Sequence, residues 1–144
     1  LPSGYDFFNG STDLVTGAFN LDVDGDGVVG AFSDGFMILR KMFGDAFTDE
    51  LLTFKAITEE ATRTTDEIHS IIQFGIDSKE LDVDKDGKVG AFSDGFMVLR
   101  HMFGDAFTGD ALINKAISPD SPYYGQENAA ELVAQNIDAL NTLI

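Results

Sequence analysis

Apolar residues recur along the chain at helical spacing, and no segment alternates with the period of a β-strand. Two runs, 36–43 and 96–103, are apolar on most sides and end at a glycine, which predicts two buried helices. Further helices are expected from Thr48 to Ile57 and from Thr108 to Ile117. The pattern therefore predicts an all-α fold.

Two more helices are expected beyond these segments. One begins after Thr64-Thr65 and ends at Gly75, and its apolar face carries Ile68, Ile71 and Ile72. Its counterpart begins after 123–125 and is predicted to be the longest helix of the chain. Its apolar residues at helical spacing are Val133, Ile137, Leu140 and Ile144.

The chain contains a tandem duplication with a period of 60 residues. Positions 21–48 match positions 81–108 at all but four places. Those exchanges are Gly25/Lys85, Val28/Lys88, Ile38/Val98 and Lys41/His101. We expect an N-terminal segment (1–20), a first repeat (21–80) and a second repeat with the C-terminal helix (81–144). Each repeat contributes about three helices to a single domain.

The two ends of the chain break this symmetry. The first repeat is preceded by no clear amphipathic helix, and the C-terminal helix is followed by no loop. Either this helix folds back to complete the first unit, or it docks on the first unit of a neighbouring copy, which would give dimers or open filaments. The aromatic residues Tyr5, Phe7 and Phe8 are expected to serve as core, as a strap or as an anchor for a partner.

The composition of the chain argues against several classes of binding partner and site. The 144 residues include 25 Asp and Glu against 9 Lys and Arg, and the formal charge of −16 argues against binding to nucleic acid or anionic lipid. Because 44% of the residues are hydrophobic, we expect a folded core. The absence of Cys excludes disulfides and zinc–thiolate sites. No apolar run reaches the ~18 residues of a membrane-spanning helix, so we expect no membrane insertion.

Eight aspartates form two clusters at the start of the repeats, in the sequences DVDGDGVVG and DVDKDGKVG. Aspartates at loop positions 1, 3 and 5 point at one cation, and the glycine at position 6 turns the chain. At ~5 Å and an effective dielectric of ~20, each pair of carboxylates repels by roughly 3 kcal/mol. The clusters therefore predict two bound Ca²⁺ ions, although a lanthanide would also suit so acidic a site.

The later loop positions complete this prediction. At position 7, Val28 and Lys88 would offer only their backbone carbonyls to the ion. Position 8 (Val29 and Val89) is where two such loops would meet through a short strand contact, and a glycine at position 9 indicates a water ligand.

The end of each loop departs from the usual calcium loop, because Ser33 and Ser93 stand where Glu is expected at position 12. We expect a loop with one extra residue, in which Asp34 and Asp94 bind the ion bidentately and the serines cap the following helix. The competing interpretation makes the serine hydroxyl the last ligand and leaves Asp34 as a partner of the helix dipole.

The repeats resemble the dockerin-type, single-helix EF-hand ("F-hand") repeat, especially its variants in large secreted proteins of aquatic bacteria. The stretches LDVDKDGKVGAFSDGFMVLRHMFG and FTGDALINKAI and their first-repeat counterparts carry the likeness over about half of the chain. The implied ligands are Asp22, Asp24, Asp26, the Val28 carbonyl, Asp34, Asp82, Asp84, Asp86, the Lys88 carbonyl and Asp94. The resemblance also implies a secreted or cell-surface module that orders on calcium and mediates attachment or assembly. Dockerins grip a cohesin through late loop positions, occupied here by Ala31-Phe32 and Ala91-Phe92.

Three functions follow from these patterns. The first is an extracellular calcium-binding structural or interaction module with a protein partner, for which a cohesin-like protein is one candidate. The second is a self-assembling subunit of a calcium-stabilised extracellular filament. The third is a calcium sensor or buffer that opens a surface of Met and Phe. No enzyme is expected, because His69 and His101 are isolated on predicted helices and no nucleophile or phosphate-binding motif occurs.

Overall fold

The computed structural model describes residues 19–141, and Tyr5, Phe7, Phe8 and Ile144 lie outside this range. Within it there are four α-helices and no strand, so the predicted all-α class is confirmed for the described residues. We number them α1 (Phe36–Met42), α2 (Thr65–Asp77), α3 (Phe96–Met102) and α4 (Ala129–Asp138). A π-helical turn precedes α1 (Ala31–Gly35) and another precedes α3 (Ala91–Gly95).

The boundaries of α2 follow from a capping box. The Thr64 hydroxyl accepts a hydrogen bond from the Glu67 amide at 3.2 Å, and the Glu67 carboxylate accepts one from the Thr64 amide at 2.9 Å. The predicted helix after Thr64-Thr65 is thus confirmed, and it ends two residues beyond Gly75 at Asp77. Its predicted apolar face, Ile68, Ile71 and Ile72, is buried.

Helix α4 is shorter than predicted. It has 10 residues against 13 in α2, so the expectation of the longest helix is wrong for the described residues. Gly125, with a φ of +81°, lies in turns that precede α4, and no side chain caps the helix at Asn128. The helix therefore starts only at Ala129, although Val133, Ile137 and Leu140 are buried as predicted.

The segments 48–57 and 108–117 are not regular α-helices, which corrects that prediction. They contain short 3₁₀ turns, Asp49–Leu51 and Gly109–Ala111, followed by further turns. Asp49 and Lys55 have φ values of 51° and 58°, in the left-handed region that interrupts a helix. The Arg40 guanidinium donates to the Leu52 carbonyl at 3.0 Å and to the Phe54 carbonyl at 2.8 Å, so it partners carbonyls that face out of the turns.

The two repeats pack against each other reciprocally through α1 and α3. A Cβ added at Gly35 would lie 2.8 Å from Leu99 Cδ1, and one added at Gly95 would lie 2.8 Å from Leu39 Cδ1. One buried apolar cluster contains residues of both repeats, including Met37 and Met97. The predicted strand contact between Val29 and Val89 does not form within residues 19–141, because the repeats meet through these helices and turns instead.

The C-terminal helix stays within its own chain. Helix α4 packs against α3 and the 109–111 turn, and the Leu140 carbonyl at its end accepts a hydrogen bond from the Leu21 amide at 3.0 Å. The helix thus touches the first loop of its own chain through this hydrogen bond, and its docking on the first unit of a neighbouring copy stays a prediction. Its end reaches the start of the first loop, although its main packing is with the second repeat.

Candidate metal centres

Each repeat brings its four predicted aspartates together. The carboxylates of Asp22, Asp24, Asp26 and Asp34 each offer an oxygen, and these oxygens lie within 4.8 Å of one another. The second loop repeats this arrangement with Asp82, Asp84, Asp86 and Asp94. In each cluster the first, second and fourth aspartates are buried and the third is partly exposed. The structure thus contains two compact clusters of carboxylate oxygens.

Asp34 belongs to the loop because of the π-helical turn. The Gly35 amide donates to the Gly30 carbonyl at 3.0 Å, five residues back, so the turn holds one residue more than an α-helical turn. The buried Asp34 carboxylate accepts hydrogen bonds from the Val23 amide at 2.8 Å and the Gly30 amide at 3.0 Å. The turn thus holds the Asp34 carboxylate against the backbone of the loop, and its bidentate binding of an ion stays a prediction.

Ser33 and Ser93 are not helix caps, so that part of the prediction is wrong. Each lies inside the π-helical turn, and its hydroxyl contacts the carbonyl of Gly30 or Gly90 at 3.4 Å. The residues at the N-terminal boundary of the turns are Gly30 and Gly90, and neither provides a side-chain cap. Neither serine therefore stands at the N-cap position of a helix.

Loop amides fix the remaining carboxylates. Asp22 accepts from the Gly27 amide at 3.0 Å and Asp26 accepts from the Val28 amide at 2.9 Å. Gly27 has a φ of +91°, which lets the chain turn sharply around the carboxylates. The Val28 side chain is 62% exposed, so only the backbone of this residue faces the loop. The second loop repeats these contacts at Asp82 and Asp86.

Burial raises the pKa of most of these carboxyls, because it disfavours their charged form. Burial raises the pKa of Asp34 and of Asp94 to about 7, and that of Asp22 and of Asp84 to about 6. Neighbouring aspartates add to these increases. Burial raises the pKa of Asp24 and Asp82 as well.

The third aspartate of each loop behaves differently. Burial opposes ionisation of Asp26 too, but hydrogen bonds from the Thr58 hydroxyl and the Val28 amide outweigh it, so that its pKa lies below the usual value. Asp86 shows the same balance, with the Lys88 amide and the Ser118 hydroxyl as donors. Each loop therefore holds several carboxyls that are costly to ionise without a cation and one that ionises readily.

A hydroxyl residue covers each loop, Thr58 in the first and Ser118 in the second, and neither was predicted from the sequence. The Thr58 hydroxyl lies 2.7 Å from Asp26 Oδ2 and 3.3 Å from Asp24 Oδ2, and the Thr58 amide donates to Asp24 at 3.2 Å. Ser118, which is 60 residues further on, donates its amide to Asp84 at 2.9 Å. A hydroxyl residue at equivalent positions in both repeats was the signal available in the sequence.

Other covering residues differ between the loops. The Arg63 guanidinium donates to the Asp22 carbonyl at 2.9 Å in the first loop. In the second loop, the Ser121 hydroxyl donates to the Asp84 carbonyl, and the Asn136 amide group of α4 donates to the Val83 carbonyl at 3.0 Å. No shared pattern marked these residues, because their counterparts 60 residues away are of different types, namely Tyr123, Ala61 and Ile76.

The two histidines have other partners. His69 Nδ1 lies 3.0 Å from Lys41 Nζ, and His69 Nε2 lies 3.0 Å from the Asp49 carbonyl. His101 Nε2 lies 2.8 Å from the Asp138 carboxylate. Within residues 19–141, the groups of acidic and histidine side chains compact enough to hold a metal are the two aspartate clusters.

Both clusters could hold a metal ion, and their chemistry is compatible with two Ca²⁺ ions. Their side-chain donors are carboxylate oxygens, which suit hard cations such as Ca²⁺. Backbone carbonyls of the loop, including those of Val28 and Lys88, would add neutral oxygen ligands. No helix of the described residues is long and apolar enough to cross a membrane. Comparisons with protein-family models, curated proteins and solved structures found no match to this chain.

Proposed function

We propose that this protein is an extracellular calcium-binding structural or interaction module, similar to a dockerin, whose two EF-hand-like units are ordered by Ca²⁺. The observation that carries the proposal is the convergence of four carboxylates within 4.8 Å in each repeat. Burial raises the pKa of Asp34 and Asp94 to about 7, so the ionised cluster is costly without a cation. A bound divalent ion would remove that cost and become part of the folded structure.

The proposed ligands are the eight clustered aspartates and two backbone carbonyls. Asp34 and Asp94 would close the thirteen-residue loops from the π-helical turns, where loop amides already fix their orientation. The carbonyls of Val28 and Lys88 would complete the set at position 7. Thr58 and Ser118 would orient the ligands without binding the ion, because their hydrogen bonds go to ligand carboxylates.

A structural role is favoured over that of a sensor. Met37 and Met97 are fully buried, and Met42 and Met102 approach the facing glycines Gly95 and Gly35 across the contact between the repeats. The methionines therefore pack inside the protein, in the core and at the contact between the two repeats. A sensor would instead keep such residues ready for exposure when calcium binds.

The experiment compares thermal unfolding of the decalcified protein with and without millimolar calcium. A ligand that binds only the folded state stabilises it by mass action, so we expect calcium to raise the melting temperature strongly. Magnesium at the same concentration is the control, since its smaller ion prefers a rigid octahedral site. An equal melting temperature in calcium and in chelator would contradict the structural role.

The same samples separate the module from a sensor. Binding of a hydrophobic dye should fall when calcium orders the fold, whereas a sensor would bind more dye in calcium.

A further inference from the structure

The turns that follow α1 and α3 have matching backbone geometry, because an arginine contacts equivalent carbonyls in both, but they carry different side chains. The Arg40 guanidinium contacts the carbonyls at positions 51, 52 and 54 at 3.4, 3.0 and 2.8 Å. The Arg100 guanidinium contacts those at 111, 112 and 114 at 3.4, 3.1 and 2.9 Å. Any difference between these two surfaces therefore comes from their side chains.

The first repeat carries an apolar protrusion at this place. The side chain of Leu51 is 54% exposed and that of Phe54 is 60% exposed. The second repeat has Ala111 and Asn114 at the corresponding positions. We call Leu51 and Phe54 the knob, which exists in the first repeat alone.

The second repeat carries an opening where the first repeat is filled. In the first repeat, the His69 ring bridges Lys41 Nζ and the Asp49 carbonyl, at 3.0 Å from each. The second repeat has His101 and Gly109 at the positions of Lys41 and Asp49. A Cβ added at Gly109 would meet no atom within 4 Å.

Helix α4 completes this opening with small residues, Ala130 and Ala134, instead of a histidine. The result is a cleft of about 410 Å³, which we call the socket. Phe107 and Leu112 contribute to its apolar lining, and Asp105 and Glu131 are exposed acidic residues that also line it.

The knob and much of the socket lining are apolar, and the two surfaces carry opposite charges. An exposed phenylalanine is suited to an apolar cleft, because its burial removes a large apolar surface from water. Lys55 Nζ lies 5.4 Å from the centre of the Phe54 ring, so a positive charge accompanies the knob. Asp105 and Glu131 supply the opposite charge at the socket, which favours this orientation.

We propose that the socket receives the Phe54 side chain of a second copy of this chain. Because the knob and the socket are different surfaces on different repeats, the contact is head-to-tail and each added copy leaves one knob and one socket free. The inference rests on the proposed function for its calcium-ordered fold, and it names the partner in assembly as the protein itself.

Two variants test the contact by complementation. Phe54→Asn removes the aromatic side chain of the knob by installing the residue that the second repeat has at position 114. Ala134→Leu fills the socket. In sedimentation with calcium, the weight-average mass of the wild type should rise with concentration, and each variant alone should remain a monomer. An equimolar mixture of the variants should form a dimer, because one species keeps its socket and the other keeps its knob.

Phe32→Asn is the matched control. Phe32 is an aromatic residue as exposed as Phe54, at 65%, and it lies outside the knob, so this variant should associate like the wild type. If Ala134→Leu fails to fold, the double variant Asp105→Lys/Glu131→Lys at the exposed part of the socket takes its place. Reversal of the knob charge by Lys55→Glu should then restore association with it at least in part.

The inference is overturned if the wild type remains a monomer up to about 1 mM, a concentration at which even an interface with a millimolar dissociation constant is populated. It is also overturned if the two folded variants fail to form the mixed dimer. Calcium titration of the same samples reports on the proposed function separately. Mixed dimers without calcium binding would refute the calcium module alone, whereas two bound ions without association would refute the knob and socket alone.

Discussion

The two loops form nearly the same hydrogen bonds, yet the segments that cover them contain different residues. In both loops the fourth aspartate accepts hydrogen bonds from the amides of Val23 and Gly30 or their counterparts. The cover of the first loop includes Thr58 and Arg63, whereas that of the second includes residues of α4. The duplicated residues therefore place the four carboxylates in the same way in both repeats, whereas part of the cover differs between the repeats.

Removal of the fourth aspartate of one loop should have the largest effect, because it should weaken calcium binding at that loop and leave the other loop unchanged. We expect Asp34→Ala to weaken calcium binding at the first site by about 100-fold, because one buried charged ligand is worth roughly 3 kcal/mol. Asp94→Ala should do the same at the second site. Isothermal titration should show one tight site remaining in each variant.

Ser33→Ala is the control for this pair. The Ser33 hydroxyl contacts the Gly30 carbonyl at 3.4 Å and is not needed to close the loop. A greater loss of affinity from Ser33→Ala than from Asp34→Ala would contradict the thirteen-residue loop and favour the serine as the last ligand.

The pH dependence of the stability of the decalcified protein tests whether burial makes the carboxyls of both loops costly to ionise. Burial raises the pKa of Asp34 and Asp94 from 3.8 to about 7, so the folded state holds protons that the unfolded chain has lost. Stability without calcium should therefore fall as the pH rises from about 4 to about 7 and then level off.

With saturating calcium the sign should reverse, because binding requires ionised carboxylates. Melting temperatures at pH 5, 6, 7 and 8, with and without calcium, measure both trends. A decalcified protein that becomes more stable across this range would refute the buried carboxyl clusters.

The reciprocal contact between the repeats should respond equally to substitution on either side. An added methyl group at Gly35 would lie 2.8 Å from Leu99 Cδ1 and 2.9 Å from Met102 Sδ. We expect Gly35→Ala to cost about 1–3 kcal/mol of unfolding free energy through overpacking. Gly95→Ala should cost the same, because its neighbours Leu39 and Met42 lie at the same distances.

Denaturant unfolding in saturating calcium measures both glycine variants. Ala46→Gly, at an exposed position, serves as a control for surface substitution. A large cost for one glycine variant and none for the other would show that the repeats do not pack symmetrically.

A smaller effect is expected at the residues that orient the ligands. Thr58→Val removes a hydroxyl that lies 2.7 Å from Asp26 Oδ2, and we expect about a tenfold loss of calcium affinity at the first site. Thr58→Ser should retain wild-type affinity because it keeps the donor. Ser118→Ala should weaken the second site similarly, and no change in either variant would refute their orienting role.

The sequence predicted the two clusters of aspartates because the period and spacing of these residues are local properties. The start of α2 was predictable for the same reason, since the two residues of its capping box, Thr64 and Glu67, lie three residues apart. The turns after α1 were not predicted, because they depend on left-handed residues such as Lys55 and on the distant Arg40 side chain. Thr58 was missed for a related reason, since its contact with Asp24 spans 34 residues.

The shared geometry of the two loops is tested most directly by the stoichiometry of calcium binding to the decalcified wild-type protein. Isothermal titration at pH 7.5 should show two Ca²⁺ ions per chain, accompanied by proton release from carboxyls whose pKa burial has raised. Repeating the titration in buffers of different ionisation enthalpy measures the protons released. No binding, or one ion per chain in the intact wild type, would contradict the account.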